Sequence, residues 1–312
     1  MECCDRISDC NSVARWGGVD GEFGLERGDG CYDVFAVHLL TLADAEIYYE
    51  LSGLGAPILF IQGVGVAGSG WRPQTDDLSA DFACLAFDNR GLGRSRTTTT
   101  TAMLSIAQMA DDALALLDAK NFAAAHVVGH SMGGVIAQQL ALNAPNRVKS
   151  LSLLCTFSQG AEATRLTPSI LWLGMRSRIG TRAMRRRAFL EMLFPPAYLA
   201  GRDSAALAAS LEPLIGRDLA EQPPIVMQQL KALGAHDCSA RLHELASIPT
   251  LVLAATHDPI ARVEYGRRLA QLVPGSRYVE MPDASHGVTI QEPPAINRLL
   301  REHFRSAETI PH

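Results

Sequence analysis

The sequence predicts an α/β protein with a mostly parallel central sheet, helices on both faces of that sheet, and a helical cap inserted after the sixth strand. The first observation is a series of short apolar runs that alternate with glycine-rich loops and helix-like stretches. The second is that these runs are apolar along their whole length, which is typical of parallel strands buried on both faces. The third is one long interruption of the series by helix-like stretches alone.

The strands are predicted in order from residue 37. Two alternating runs in AVHLLTLADAEIYYELSG flank the tripeptide LAD and predict a hairpin. The runs APILFIQG, FACLAFDN, AAHVVGHS and VKSLSLLCT then supply strands three to six, and the third of these leads directly into the amphipathic stretch MGGVIAQQLALNAP. Residues 1–36 carry many Gly and Asp residues without periodicity, so we predict a flexible N-terminal extension there.

The interruption spans residues 157–235. It contains helix-like stretches and six prolines but no strand signal. The alternation resumes in IPTLVLAATHD and SRYVEMPDASHG, and the chain ends in the helical pattern PPAINRLLREHF. We therefore predict a core formed by residues 37–156 and 236–312, with residues 157–235 as the helical cap. The run TTTTT at 97–101 is predicted to be a surface loop.

Composition and charge exclude several classes of protein. The chain has 312 residues, of which 47% are hydrophobic and 20% charged, as in a globular protein with a large core. A net charge of −5 and the absence of a basic stripe argue against a nucleic-acid partner. No apolar run reaches the roughly 18 residues that a spanning helix needs, and the start does not resemble a secretory signal, so we predict a cytoplasmic protein without membrane insertion.

The seven cysteines do not suggest a disulfide framework, because their number is odd and the chain is large. Cys84 and Cys155 lie in apolar runs and are predicted to be core residues. The remaining cysteines near the start lack metal-type spacing, so free thiols are favoured over a metal or lipid site; they are Cys3, Cys4, Cys10 and Cys31. No metal and no cofactor are expected.

The stretch VVGHSMGG places Ser131 between a predicted strand and a predicted helix. A Gly-x-Ser-x-Gly pattern alone occurs often by chance, but here the strand ends and the helix begins on either side of the serine. At such a sharp turn the flanking glycines let the strand and helix pass closely, and the serine hydroxyl stands clear of the sheet. The start of the helix also favours negative charge nearby.

A serine hydroxyl needs a base within hydrogen-bonding distance and a third group to orient that base. Asp258 follows the strand TLVLAA, and His286 follows RYVEMPDAS. The three residues therefore lie beyond the carboxyl ends of parallel strands, at the edge where open α/β sheets bind ligands. We predict Ser131 as nucleophile, His286 as base and Asp258 as the orienting acid; Asp258 could instead be only a helix cap.

Four motifs in this order resemble those of the α/β-hydrolase fold superfamily, specifically its capped, esterase-like branch, over about residues 40–305: GHSMGG, DNRGLGRS, THDPI and DASHGVTIQEP. The resemblance implies an oxyanion hole formed by the backbone N–H groups of Val64 and Met132. Many relatives have histidine where this chain has Gln62. Because backbone donors do not depend on the side chain, activity is still expected, although the substitution bears on loop geometry and substrate preference.

The expected activity is hydrolysis of carboxylic esters or lactones of small, largely apolar substrates, because apolar cap residues should cover the cleft above Ser131. The residues predicted to contact substrate are Gln62, Trp172, Met175 and Phe194. Three alternatives remain: a non-catalytic protein that binds a small ligand, carbon–carbon bond hydrolysis, and peroxide-dependent acyl transfer by the same three residues. An arginine cluster at 176–187 is interpreted as a solvated helix face rather than a site for an anionic substrate.

Overall fold

A computed structural model of the chain describes residues 36–98, 103–163 and 168–309. The predicted flexible extension therefore lies outside the described residues except for Ala36, which begins the first strand. The four cysteines of that extension and most of the predicted threonine loop also lie outside them. Cys84 and Cys155 are buried, which confirms their prediction as core residues.

The described residues contain one sheet of nine strands. Their bounds are β1 Ala36–Thr41, β2 Ala45–Ser52, β3 Ala56–Ile61, β4 Phe82–Phe87, β5 Arg96–Thr97, β6 Ala125–His130, β7 Val148–Leu154, β8 Thr250–Ala255 and β9 Arg277–Met281. The strand order is β1-β2-β4-β3-β6-β7-β8-β9, with β5 paired to β2. The strands β3, β4, β6, β7, β8 and β9 pair in parallel, whereas β1 and β2 form the predicted antiparallel hairpin.

Twelve α-helices lie in the described residues. Their bounds are α1 Arg72–Leu78, α2 Ile106–Ala119, α3 Met132–Asn143, α4 Gly160–Ala163, α5 Pro168–Arg176, α6 Arg182–Leu193, α7 Pro196–Leu199, α8 Ser204–Ile215, α9 Pro224–Gly234, α10 Val263–Leu272, α11 Val288–Gln291 and α12 Pro293–Glu308. Short 3-10 helices lie at Gly68–Trp71, Pro145–Arg147 and Ser239–Ser247.

The predicted fold class is confirmed. Every residue of β4, β6 and β8 is buried, and because successive side chains of a strand point to opposite faces, both faces of the sheet must be covered. The parallel strands place the carboxyl ends of β3, β6, β8 and β9 at one edge. The short strand β5 is a correction to the prediction, since Thr97 belongs to it and not to a loop.

The helices α4 to α9 lie between β7 and β8. Because β5 is not among the predicted strands, β7 is the sixth of them, and these helices follow the strand after which the cap is predicted. Residues of α6 to α8 form a hydrophobic cluster distinct from the sheet core, and Val66 and Ile290 pack against it. Phe157 and Leu233, near the two ends of this segment, instead belong to the sheet core. The separate cluster supports our proposal that residues 157–235 form a cap, with its ends anchored in the core.

Candidate active site

Ser131 occupies a strained turn between β6 and α3. Its φ is 55° and its ψ is −124°, a region that a residue with a side chain rarely adopts. Two hydrogen bonds hold this backbone in place: its N–H donates to the Leu154 carbonyl at 3.0 Å, and the Thr156 hydroxyl donates to its carbonyl at 2.6 Å. The turn is therefore fixed by the neighbouring strand β7 and by the residues that follow it.

Two glycines make this turn possible through close backbone approach. A Cβ at Gly133 would lie 2.0 Å from the Ile61 carbonyl oxygen, and a Cβ at Gly129 would lie 2.3 Å from the Gly133 carbonyl oxygen. Both distances are far below van der Waals contact. Side chains at either position would push α3 away from β3 and β6, as the sequence pattern predicts.

The structure brings the three predicted side chains into one hydrogen-bonded chain. The Ser131 Oγ lies 3.1 Å from His286 Nε2, and His286 Nδ1 lies 2.7 Å from Asp258 Oδ2. The aspartate accepts from Nδ1, so that nitrogen carries the proton and Nε2 has a lone pair directed at the serine hydroxyl. This is the tautomer in which the imidazole can accept a proton from the serine.

The three residues are shielded from solvent. Ser131 and His286 are each 6% exposed and Asp258 is 5% exposed. The second carboxylate oxygen of Asp258 accepts the backbone N–H groups of Ile260 and Ala261 at 2.7 and 2.8 Å. Both oxygens of the acid thus have donors, which fixes its orientation toward the imidazole.

The backbone of His286 is held from both sides. His130 Nε2 lies 2.8 Å from the His286 carbonyl oxygen, and the Gly287 N–H donates to the Leu193 carbonyl at 2.8 Å. Burial lowers the pKa of His130 to about 3, so its ring is neutral and has one N–H. That N–H is on Nε2, and the 3.3 Å separation between Nδ1 and Gln62 Oε1 is a contact between two acceptors and not a hydrogen bond.

The predicted oxyanion donors lie beside the serine. A Cβ at Gly63 would be 3.4 Å from the Ser131 Oγ, which places the loop after β3 against the hydroxyl. Within the described part of the chain, neither the Val64 nor the Met132 N–H has a protein acceptor. Met132 is the first residue of α3, where backbone N–H groups lack intrahelical partners. Both N–H groups therefore lack a protein partner among the described residues, as the role predicted for them requires.

Comparison with known proteins identifies the family. Residues 56–293 match the family model described as the alpha/beta hydrolase fold. The chain belongs to this family. A relative from Azorhizobium caulinodans, named as a carbamate hydrolase (RutD), is 31% identical, and the match covers 82% of this chain and 94% of that protein.

Two solved structures are also similar. The enol-lactonase from Burkholderia xenovorans LB400 matches with a TM-score of 0.72 and 26% identity, over 86% of this chain and all of that one. The non-heme bromoperoxidase BpoC of Mycobacterium tuberculosis H37Rv matches with a TM-score of 0.70 and 27% identity, over 84% and 96% of the two chains. These likenesses support hydrolase activity, and the proteins differ in the reaction that each name describes.

In this hydrolase, Gln62 directly follows β3, at the start of the loop that carries the predicted oxyanion donor Val64. Its side chain is buried, and its Oε1 accepts the Gly63 N–H at 2.8 Å. The Asn89 side chain donates to its backbone carbonyl at 2.8 Å. Gln62 thus braces the loop that carries Val64, and its predicted contact with substrate stays a prediction.

The three predicted substrate contacts in the helical segment differ in exposure. Trp172 and Met175, on α5, are 56% and 42% exposed, whereas Phe194, at the end of α6, is 1% exposed. A Cβ at Gly287 would lie 3.4 Å from the Phe194 ring, so Phe194 packs against the residue that follows the candidate base. The role of all three in binding substrate is untested.

Charged side chains of the loop after β4 form hydrogen bonds and ion pairs with several other segments. The Asp88 carboxylate accepts the N–H groups of Gly68 and Arg94. Arg90 forms a bidentate ion pair with Asp112 and a further ion pair with Asp44. Sequence reasoning missed Asn89, although it lies in the same motif, because an asparagine in a loop carries no sign of its distant partner.

The described residues contain no group of His, Cys, Asp and Glu side chains arranged to hold a metal ion. Among the helices described, none has the length and apolar character needed to cross a bilayer.

Proposed function

We propose that this protein is a serine hydrolase that cleaves carboxylic esters or lactones of small, largely apolar molecules through Ser131, His286 and Asp258. The observation that carries the proposal is the chain of two hydrogen bonds from the serine hydroxyl to the carboxylate, at 3.1 and 2.7 Å. Its geometry sets the tautomer that a general base requires. The strained backbone of Ser131 and the two free donors beside it support the same mechanism.

The first half of the reaction forms an acyl-enzyme. His286 Nε2 removes the hydroxyl proton as Ser131 Oγ attacks the carbonyl carbon, and the carbonyl π electrons move to the oxygen. The backbone N–H groups of Val64 and Met132 hydrogen-bond to that oxyanion. His286 then delivers its proton to the leaving alcohol oxygen as the bond from carbon to that oxygen breaks. Asp258 stabilises the imidazolium between these steps.

The second half releases the acid. A water molecule donates a proton to His286 Nε2 while its oxygen attacks the acyl carbon, and the same two N–H groups hydrogen-bond to the second oxyanion. The proton returns to Ser131 Oγ as the acyl bond breaks. For a lactone the leaving hydroxyl and the acid remain in one product molecule. Besides the ester or lactone, the whole reaction consumes only one water molecule.

The proposal is tested with esters of graded acyl length and the Ser131→Ala variant. We expect hydrolysis by the unaltered protein and a loss of at least about 10³-fold in kcat for the variant, because the nucleophile is gone. A fluorophosphonate probe should label the unaltered protein at Ser131 and leave the variant unlabelled. A panel with a carbamate, an enol-lactone and peroxide as acyl acceptor distinguishes the reactions in the relatives' names from ester cleavage.

Equal hydrolysis by the protein and by Ser131→Ala would refute the nucleophile. Failure of the probe to react with the folded protein would favour the non-catalytic alternative, a hydrolase-fold protein that binds a small ligand. Labelling without ester or lactone turnover would keep the nucleophile and reject the proposed substrate class.

A further inference from the structure

A cluster of unsatisfied hydrogen-bond donors from the helical segment lies against the oxyanion loop. Its members are the Gln229 side-chain amide, on α9, and the Arg217 guanidinium, in the loop after α8. Both approach Gly65, the residue after Val64. Neither belongs to the arginine cluster at 176–187, whose members were considered from the sequence as a possible anion site.

Gln229 is fully buried, and only the oxygen of its side-chain amide has a hydrogen-bond partner in the described part of the chain. Its Oε1 accepts the Gly65 N–H at 2.8 Å, and because an N–H requires an acceptor, this contact assigns the oxygen and the nitrogen of the amide. Its Nε2 has no acceptor among the described residues. A buried donor without a partner is uncommon in folded proteins and calls for a ligand or water in its place.

Arg217 is also left with free donors. Its Nη1 donates to the carbonyls of Asp218 and Glu221, but its Nε is buried without an acceptor. Its Nη2 lies 3.1 Å from the position that a Gly65 Cβ would occupy. Within the described residues no carboxylate lies at ion-pair distance from this guanidinium.

Four neighbouring arginines differ from Arg217 because each of them has a carboxylate partner. Arg182 and Arg186 both pair with Asp218, and Arg176 and Arg187 both pair with Glu191. The Asp218 carboxylate therefore has two arginine partners and forms no ion pair with Arg217. The guanidinium carbon of Arg217 lies over the Phe189 ring, 5.6 Å from its centre, at cation–π distance.

The cluster contacts the loop two residues after Gly63, the glycine next to the candidate nucleophile. A Cβ at Gly63 would lie 3.4 Å from the Ser131 Oγ, and the chain from Gly63 to Gly65 spans at most about 7 Å. Gly65 itself cannot carry a side chain, because its φ is +66° and a Cβ would lie 2.9 Å from Val226. Because Gly65 has no side chain, the Gln229 amide and the Arg217 guanidinium can lie directly against the backbone of this loop.

We propose that Arg217 and Gln229 form an anchor for a carboxylate carried by the substrate. The free groups are all N–H donors, so the ligand must offer acceptors, and a planar anion matches the fork of a guanidinium that has no carboxylate partner in the protein. The substrate class is an ester or lactone with a carboxylate at the end remote from the cleaved bond. This inference rests on the proposed function for the reaction that the substrate undergoes. The binding of a carboxylate by Arg217 and Gln229 does not depend on that reaction.

The test compares two substrates with the same leaving group and the same five-carbon acyl chain, the mono-4-nitrophenyl ester of glutaric acid, which ends in a carboxylate, and 4-nitrophenyl pentanoate, which ends in a methyl group. We expect kcat/KM to favour the anionic ester, and Arg217→Met to lower the anionic-to-neutral ratio of kcat/KM by at least about tenfold, as for one lost charge-assisted hydrogen bond. Arg217→Lys should retain part of the preference. Gln229→Glu keeps an acceptor for the Gly65 N–H and replaces the free donor with a negative charge, so it should also lower the ratio.

The matched control is Arg298→Met, which removes the same charge from the exposed face of α12 and should leave the ratio unchanged. Binding is measured separately by calorimetry, with the anionic ester titrated into Ser131→Ala and into Ser131→Ala combined with Arg217→Met. We expect at least tenfold weaker binding to the second protein.

The outcomes separate the two proposals. Cleavage of both esters with a ratio that neither Arg217→Met nor Gln229→Glu changes would overturn the anchor and keep the hydrolase. Absence of cleavage, with binding that still depends on Arg217, would overturn the hydrolase and keep the anchor. Equal binding to both Ser131→Ala proteins would overturn the anchor, whatever the kinetics, and would mean that only water satisfies these donors.

Discussion

Asp258→Asn is the substitution that most directly tests the candidate base. Asparagine has the same shape as aspartate, and its side-chain oxygen can still accept the N–H groups of Ile260 and Ala261. Its amide nitrogen would then replace Oδ2, 2.7 Å from His286 Nδ1. Because that nitrogen is a donor, Nδ1 must become the acceptor and the imidazole proton must move to Nε2.

The proton on Nε2 would then face the Ser131 hydroxyl across 3.1 Å. In this tautomer the imidazole cannot accept the serine proton, and we expect kcat to fall by about 10⁴-fold. At about 1.36 kcal/mol for each factor of ten, this is roughly 5 kcal/mol of lost transition-state stabilisation. The fold should be unaffected, since the buried hydrogen bonds of the acid's other oxygen remain.

The assay is the steady-state rate of 4-nitrophenol release from the best ester of the panel, with circular dichroism as the check on folding. Asp283→Asn is the matched control, because Asp283 lies three residues before His286 and its side chain is exposed. We expect the control to keep its rate within about twofold, as is usual for a surface change. A rate within tenfold of the original for Asp258→Asn would refute the role assigned to the acid.

Three further predictions concern the framework of the site. Gly133→Ala should destabilise the protein by about 1–3 kcal/mol in urea unfolding, because its Cβ would lie 2.0 Å from a carbonyl oxygen of β3. The control Gly174→Ala should leave the stability unchanged, because no atom lies nearer than 3.9 Å to its Cβ. Equal destabilisation by the two substitutions would contradict this account. Arg90→Met should cost about 3–5 kcal/mol by leaving the buried Asp112 unpaired, and a double variant that also replaces Asp112 with leucine should recover much of that loss. Burial lowers the pKa of His126 from 6.5 to about 3, so the unfolded chain binds the proton first and the unfolding free energy should fall as the pH drops from 6.5 toward 3. His126→Phe should reduce that slope in urea titrations at several pH values, and an unchanged slope would show that other groups carry it.

The turn at Ser131 could be predicted from sequence because its determinants are local. The strand, the serine and the glycines at 129 and 133 are contiguous, and each is required by the geometry of one sharp connection. His286 and Asp258 could be predicted because each follows a parallel strand, and parallel strands end at a common edge. The sequence could not supply the distances between the three side chains, which depend on the register of the whole sheet.

Other features had no local signal. Strand β5 has two residues, too few for any periodicity, and it pairs with Ala45 and Glu46, where β2 extends beyond its pairing with β4. Gln229 meets Gly65 across 164 positions of sequence, and on a helix it is indistinguishable from a solvent-facing glutamine. The hydrogen bond from the Gly63 N–H to the Gln62 side-chain oxygen likewise depends on the packing of the loop and not on residue type, and the predicted contact of Gln62 with substrate stays a prediction.

The helical segment supplies acceptors to both loops that flank the nucleophile. The carbonyl of Leu193 accepts the Gly287 N–H next to the candidate base, and the carbonyl of Ile215 accepts the Ala67 N–H. Gln229 accepts the Gly65 N–H next to a candidate oxyanion donor. Without the segment these three N–H groups would lose their acceptors, and the loops that carry the candidate base and one candidate oxyanion donor would lose these hydrogen bonds. If the proposed mechanism holds, changes in this segment should therefore alter turnover as well as substrate choice, because the helices that would select the substrate also hydrogen-bond to the loops of the candidate active site.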